Sequence, residues 1–372
     1  MTHKPQPWLF SPAFDFAFIL SPAILVSAIV LVFHDRFEAL EAVPPWLWLL
    51  LVVGVDVSHV YSTLFRTYLD RDEVRQRQGL YTLVPLGAWM VGCLLYSVDG
   101  ALFWRVLAYL AVFHFVRQQY GFMMIYGREE RDAPNYHRRL DKAAIYLATL
   151  YPLVYWHTHQ RAFNWFVEGD FLKVDMPFIA NVVGGAYLAV IAAYLAKEAM
   201  LWRRAKTFNL PRNLLLLGTA VSWFVGIVAF NNDVAFSATN ILAHGIPYLA
   251  LIWVFARNRR AQASDGESPF IALWVRALFT WKAAPLYAGV LFVIAFVEEG
   301  VWDGFVWRDH GALFHFSDAL PLIQSEHTLA WLVPLLALPQ ATHYILDAFI
   351  WRLKSNDTHW KQTLFFHAAN KP

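Results

Sequence analysis

Residues 13–34 read AFDFAFILSPAILVSAIVLVFH, an apolar run interrupted by one carboxylate, Asp15. A helix needs about 20 apolar residues to cross a bilayer core about 30 Å thick. This run is long enough, and comparable runs recur along the chain. In hydrocarbon every backbone N–H and C=O must be satisfied within the structure, which favours helices for runs of this kind. Composition agrees: of 372 residues, 58% are hydrophobic and 16% charged. An average soluble domain carries about 25% charged residues. Mean hydropathy is +0.40. The sequence therefore predicts an all-α, polytopic integral membrane helix bundle.

Ten spans are expected, at approximately 13–34, 45–68, 80–98, 102–126, 142–157, 177–201, 213–231, 236–256, 283–299 and 328–351. The fifth and ninth are short. A further segment, SPFIALWVRALFTWK (268–282), mixes Trp and Phe with Arg276 and Lys282 and reads as an interfacial helix. The N-terminal MTHKPQPWLFSPAFDF has neither the basic start nor the small-residue cleavage site of a signal peptide, so the first run is expected to stay as a span. With no internal repeat or low-complexity linker, residues 1–372 read as one transmembrane domain.

Basic residues cluster in alternate loops. Arg71, Arg75 and Arg77 follow the second span, Arg128, Arg131, Arg138, Arg139 and Lys142 the fourth, and Arg203, Arg204, Lys206 and Arg212 the sixth. Arg257, Arg259 and Arg260 follow the eighth, and Arg352 and Lys354 the tenth. The opposite loops are poor in basic residues, and one carries Glu298, Glu299, Asp303 and Asp309. The positive-inside rule then puts both termini in the cytoplasm of a bacterial-type inner membrane. Net charge is +2, which gives no basis for nucleic-acid binding, and the single Cys93 excludes internal disulfides and multi-cysteine metal sites.

Most of the 14 histidines fall in loops or at membrane edges. Four fall inside spans: His59 on the second, His114 on the fourth, His244 on the eighth and His343 on the tenth. In the expected topology all four spans run outside to inside. At about 1.5 Å of rise per residue the four lie roughly 12 to 22 Å from the outer ends, compatible with one layer. Each has polar company at helical spacing: Asp56 and Thr63 for His59, Gln118 for His114, Asn240 for His244, and Gln340 and Asp347 for His343. Residues three or four apart share a helix face. Ionisable residues in hydrocarbon face the bundle interior or a wet cavity and mark functional sites.

Neutral imidazole ligates zinc, copper, iron and nickel. A carboxylate one turn away serves as a further ligand or fixes the histidine tautomer. His59, His114, His244, His343, Asp56 and Asp347 are therefore the expected metal ligands, for one ion or two bridged by oxygen. The bland alternative is interhelical hydrogen bonding, the usual role of one polar residue in a membrane helix. Arg117, Gln118 and Tyr344, close in sequence to the histidines, are the candidate catalytic side chains. Arg66, Asp70, Arg117, Gln118, Gln119 and Tyr126 form a second group toward the cytoplasmic ends. Arg66 there is expected to snorkel and anchor its helix end.

The sequence has no phosphate-cradling Gly-rich loop, nucleophile elbow or His-Glu-x-x-His motif. In its single histidines scattered over several spans, the chain resembles in type the bacterial membrane carotenoid-cleaving oxygenases. That resemblance covers four positions, aligns no motif and transfers no residue roles. The residues lead to a membrane metalloenzyme, a non-haem iron oxidoreductase or oxygenase acting on a lipid-soluble or small hydrophobic substrate, with an electron donor as partner. Iron is the first expectation for the metal, with zinc, copper or haem as alternatives. The competing readings are a membrane haem protein and a transporter or proton relay built on His and Asp.

Overall fold

The computed structural model describes residues 6–40, 43–130, 133–262, 277–352 and 359–365. Among these residues every regular element is helical and no strand occurs. The long helices are α1 (Pro12–Val32), α2 (Pro45–Phe65), α3 (Gln78–Val98) and α4 (Gly100–Tyr126). Then come α5 (Asn135–Thr158), α6 (Pro177–Arg204), α7 (Leu210–Ala229), α8 (Asp233–Ala261) and α9 (Trp281–Trp307). Last come α10 (Glu326–Leu336) and α11 (Leu338–Ile350), bent by 44° at their junction.

Each expected span thus corresponds to a helix or, for the tenth, to a bent pair. Among the described residues eight helices are long and apolar enough to cross a membrane, nine if the pair is one span. The chain is a multi-pass membrane protein. Helix α5 is not among these eight, because its first two turns carry Arg138, Arg139, Asp141 and Lys142. The α10–α11 bend has a steric cause: Pro339 lacks an N–H, and its ring clashes with the carbonyl one turn back. Of the expected interfacial helix, 268–276 lies outside the described residues, and Lys282 sits in the short turn that opens α9.

Internal packing divides the chain into two units, one of Met1–Val43 with Phe115–Pro247, the other of Pro44–His114 with Tyr248–Pro372. In the first, α7 packs on α1 and α5, and α5 packs on α6. Close approach here depends on Gly226 of α7, where a Cβ would sit 2.0 Å from Thr239 Oγ1. A buried ionic network also lies in this unit. Arg212 pairs with Glu130, with Asp141 at 3.3 Å and with Glu198 at 2.5 Å, while Lys197 joins Asp141 and, at 2.8 Å, Glu198.

In the second unit α9 packs on α2, and α10 and α11 on α3. Gly92 of α3 admits the kinked helix, since a Cβ there would lie 2.8 Å from Pro334 Cβ. Helix α2 is π-wound over Leu49–Val57 and returns to α winding at Ser58–Ser62, the turn that carries His59. Such stretches are rare and concentrate at functional sites.

Pro247, three residues after His244, does not break its helix: α8 runs through it. Proline removes the N–H that would serve the carbonyl of Ala243. Gln119 Nε2 reaches that carbonyl at 3.5 Å, and Gln118 Nε2 donates to the His244 carbonyl at 2.9 Å. Neighbouring polar side chains are what make proline tolerable inside a membrane helix.

Candidate metal centre

His59 follows the π-wound stretch of α2, His114 lies mid-way along α4, and His343 is in the second turn of α11. All three are buried. The His343 ring centroid lies 4.5 Å from that of His114 and 5.0 Å from that of His59. His244 lies on α8 one turn before Tyr248, and its ring stacks on Phe115 at 3.5 Å. One ring nitrogen from each of His59, His114, His244 and His343 falls within 4.8 Å of the others. Two imidazole nitrogens bound to one ion at about 2.1 Å are at most about 4.2 Å apart. Four nitrogens arranged tetrahedrally at that bond length are about 3.4 Å apart, so each ring would close in by up to about 0.8 Å to share one ion.

The two aspartates stand outside this group. Asp56 Oδ1 is 3.5 Å from His59 Nδ1. Asp347 Oδ2 is 3.7 Å from His114 Nδ1, and its Oδ1 is 3.9 Å from His343 Nδ1. The last two separations exceed hydrogen-bond length. Asp347 Oδ1 instead accepts from the Tyr248 hydroxyl at 2.7 Å. Tyr248 Oη is 3.0 Å from Thr63 Oγ1, which is 2.7 Å from His343 Nδ1. His343 is thus tied down through Nδ1, while its Nε2 is buried and has no hydrogen-bond partner. A buried imidazole nitrogen left without a hydrogen bond is costly, and a metal ion would satisfy it. The residues present fit a metal by this observation.

Of the candidate catalytic side chains, Tyr344 is buried beside the histidines, its ring 5.2 Å from His114 and 5.5 Å from His343. Gln118 spends its amide N–H on the His244 carbonyl. Arg117 is exposed, donates to Tyr146 Oη at 2.7 Å and lies over the Tyr120 ring. Arg66 is a correction: it does not snorkel but is 1% exposed, paired with Glu73 at 2.7 Å and lying over the Phe255 ring. Arg77 and Tyr81 converge on the same glutamate, which holds the cation inside.

Sequence reasoning missed Tyr248, although it lies four residues after His244 and so on the same helix face. It noticed Thr63 but assigned it to His59, one turn away, whereas the hydroxyl serves His343. No protein-family model matches this chain, and neither does any curated protein or solved structure.

Proposed function

We propose that this protein is an integral membrane metalloenzyme, a non-haem iron oxidoreductase that acts on a lipid-soluble substrate. The observation that carries the reading is the buried four-histidine cluster, with its ring nitrogens within 4.8 Å of one another. Imidazole suits iron, and iron with open coordination positions supplies oxygen chemistry. His59, His114, His244 and His343 would hold the ion. Asp347 and Asp56, beside Nδ1 of ligand rings, would orient those rings rather than bind. The aromatic rings of Tyr248 and Tyr344 line the same region and would exclude water from it.

Two observations weigh against the alternatives. A haem fills four positions around its iron with its own nitrogens, leaving two for histidine; a third and fourth imidazole converging on the same point have no place in that arrangement. A transporter reading would draw on inverted repeats, and the sequence shows no internal repeat. Both termini are assigned to the cytoplasmic side of a bacterial-type inner membrane, on the loop charges alone.

The test is elemental analysis with a visible spectrum of the purified protein, followed by nitric oxide binding read by EPR. The reading expects about one iron per chain, no haem absorption band, and a nitric oxide signal reporting an open position. Metal-free protein that takes up none when supplied with iron, or a haem band, overturns it.

A further inference from the structure

We infer that Tyr248 and Thr63 are positioning residues that set the tautomer of His343 and so aim its Nε2 into the histidine cluster. The inference rests on the metal-centre reading above and extends it to residues that contact no ligand position.

His343 Nδ1, Thr63 Oγ1, Tyr248 Oη and Asp347 Oδ1 form an unbroken chain with separations of 2.7, 3.0 and 2.7 Å. The Tyr248 hydroxyl donates to Asp347 Oδ1, and each hydroxyl has one proton to give. The Tyr248 oxygen is then an acceptor, and the Thr63 proton points to it. Thr63 has nothing left to donate, so the remaining contact must be filled by an N–H on His343 Nδ1. A neutral imidazole with its proton on Nδ1 carries its lone pair on Nε2. Nε2 is the nitrogen that is buried without a hydrogen-bond partner.

The four members come from three helices: Thr63 from α2, Tyr248 from α8, and Asp347 and His343 from α11. The chain therefore also ties three helices around one ring. Asp347 acts on His343 through two hydroxyls and not by contact, since its own oxygen is 3.9 Å from His343 Nδ1.

The experiment uses the full-length protein in detergent, with Co(II) alone as the probe of binding and visible spectrum. Zinc-loaded, histidine-15N-labelled protein reports the tautomer, His343→Gln assigning the signal. Tyr248→Phe and Thr63→Val should each weaken Co(II) binding about 10- to 100-fold, the usual effect of losing a group that orients a ligand histidine. The double variant should be no weaker than the worse single one, because either break interrupts the same chain. Thr63→Ser, which keeps the hydroxyl, should restore binding and the Nδ1–H signal of His343.

Wild-type affinity in both Tyr248→Phe and Thr63→Val, full additivity in the double variant, or failure of Thr63→Ser to rescue overturns this inference and leaves the metal centre standing. A wild-type protein that binds no Co(II), zinc or iron overturns both.

Discussion

The Thr63 hydroxyl lies 2.7 Å from Nδ1 of His343, a residue 280 positions away in sequence. Its one-turn neighbour His59 is approached instead by Asp56, at 3.5 Å. The two histidines therefore have different supports, and their variants should behave differently.

For His59 the expectation is direct loss. His59→Ala removes one of the four converging nitrogens, so metal per protein should fall strongly at matched expression and folding. Asp56→Asn keeps the shape and removes the charge; affinity should drop about 10- to 100-fold if Asp56 orients the ring. His34→Ala is the control, since His34 is an exposed residue paired locally with Asp35 at 3.0 Å. Full occupancy in His59→Ala would sink the four-histidine site.

Metal removal should also loosen the bundle. A ligand that binds only the folded state stabilises it, by about 2.7 kcal/mol at a free concentration 100 times its dissociation constant. The melting midpoint in detergent should fall after chelation and recover on reloading. An unchanged midpoint, in protein verified to have lost its metal, would reduce the histidines to ordinary polar contacts.

Stability and the metal centre should separate at Arg212. This guanidinium is buried among Glu130, Asp141 and Glu198. Arg212→Ala takes the guanidinium from Glu130 and leaves Asp141 and Glu198 to share Lys197, and removing one member of a buried ion network typically costs about 3–5 kcal/mol. Denaturant titration should show that loss, while the fraction that remains folded keeps its metal. Loss of metal from well-folded Arg212→Ala would contradict this division of labour.

Topology gives an independent check. Reporter fusions at Asn135 and His310 should label opposite faces of the membrane, because the basic loops after even-numbered spans belong on the cytoplasmic side. Labelling of both sites from one side would overturn the orientation.

The helices were legible in the sequence because membrane insertion depends on local properties. Twenty apolar residues and a fully paired backbone leave one secondary structure, so α1 to α4 and α6 to α9 follow from their own residues. The four intramembrane histidines were legible for the same reason: an ionisable group in an apolar run stands out wherever the run packs.

What lay beyond the sequence was which groups face one another across helices. Spacing rules see one face of one helix, so Thr63 was assigned to His59 and Tyr248 was passed over. Tertiary packing sets the Tyr248 hydroxyl against Asp347 and Thr63 against His343. It also buries Arg66 on Glu73 where a snorkelling side chain was expected, and carries α8 straight through Pro247. Each of these outcomes depends on partners distant in sequence. A buried polar group takes whatever partner packing brings within hydrogen-bond reach, because leaving it unpaired costs more than any local preference.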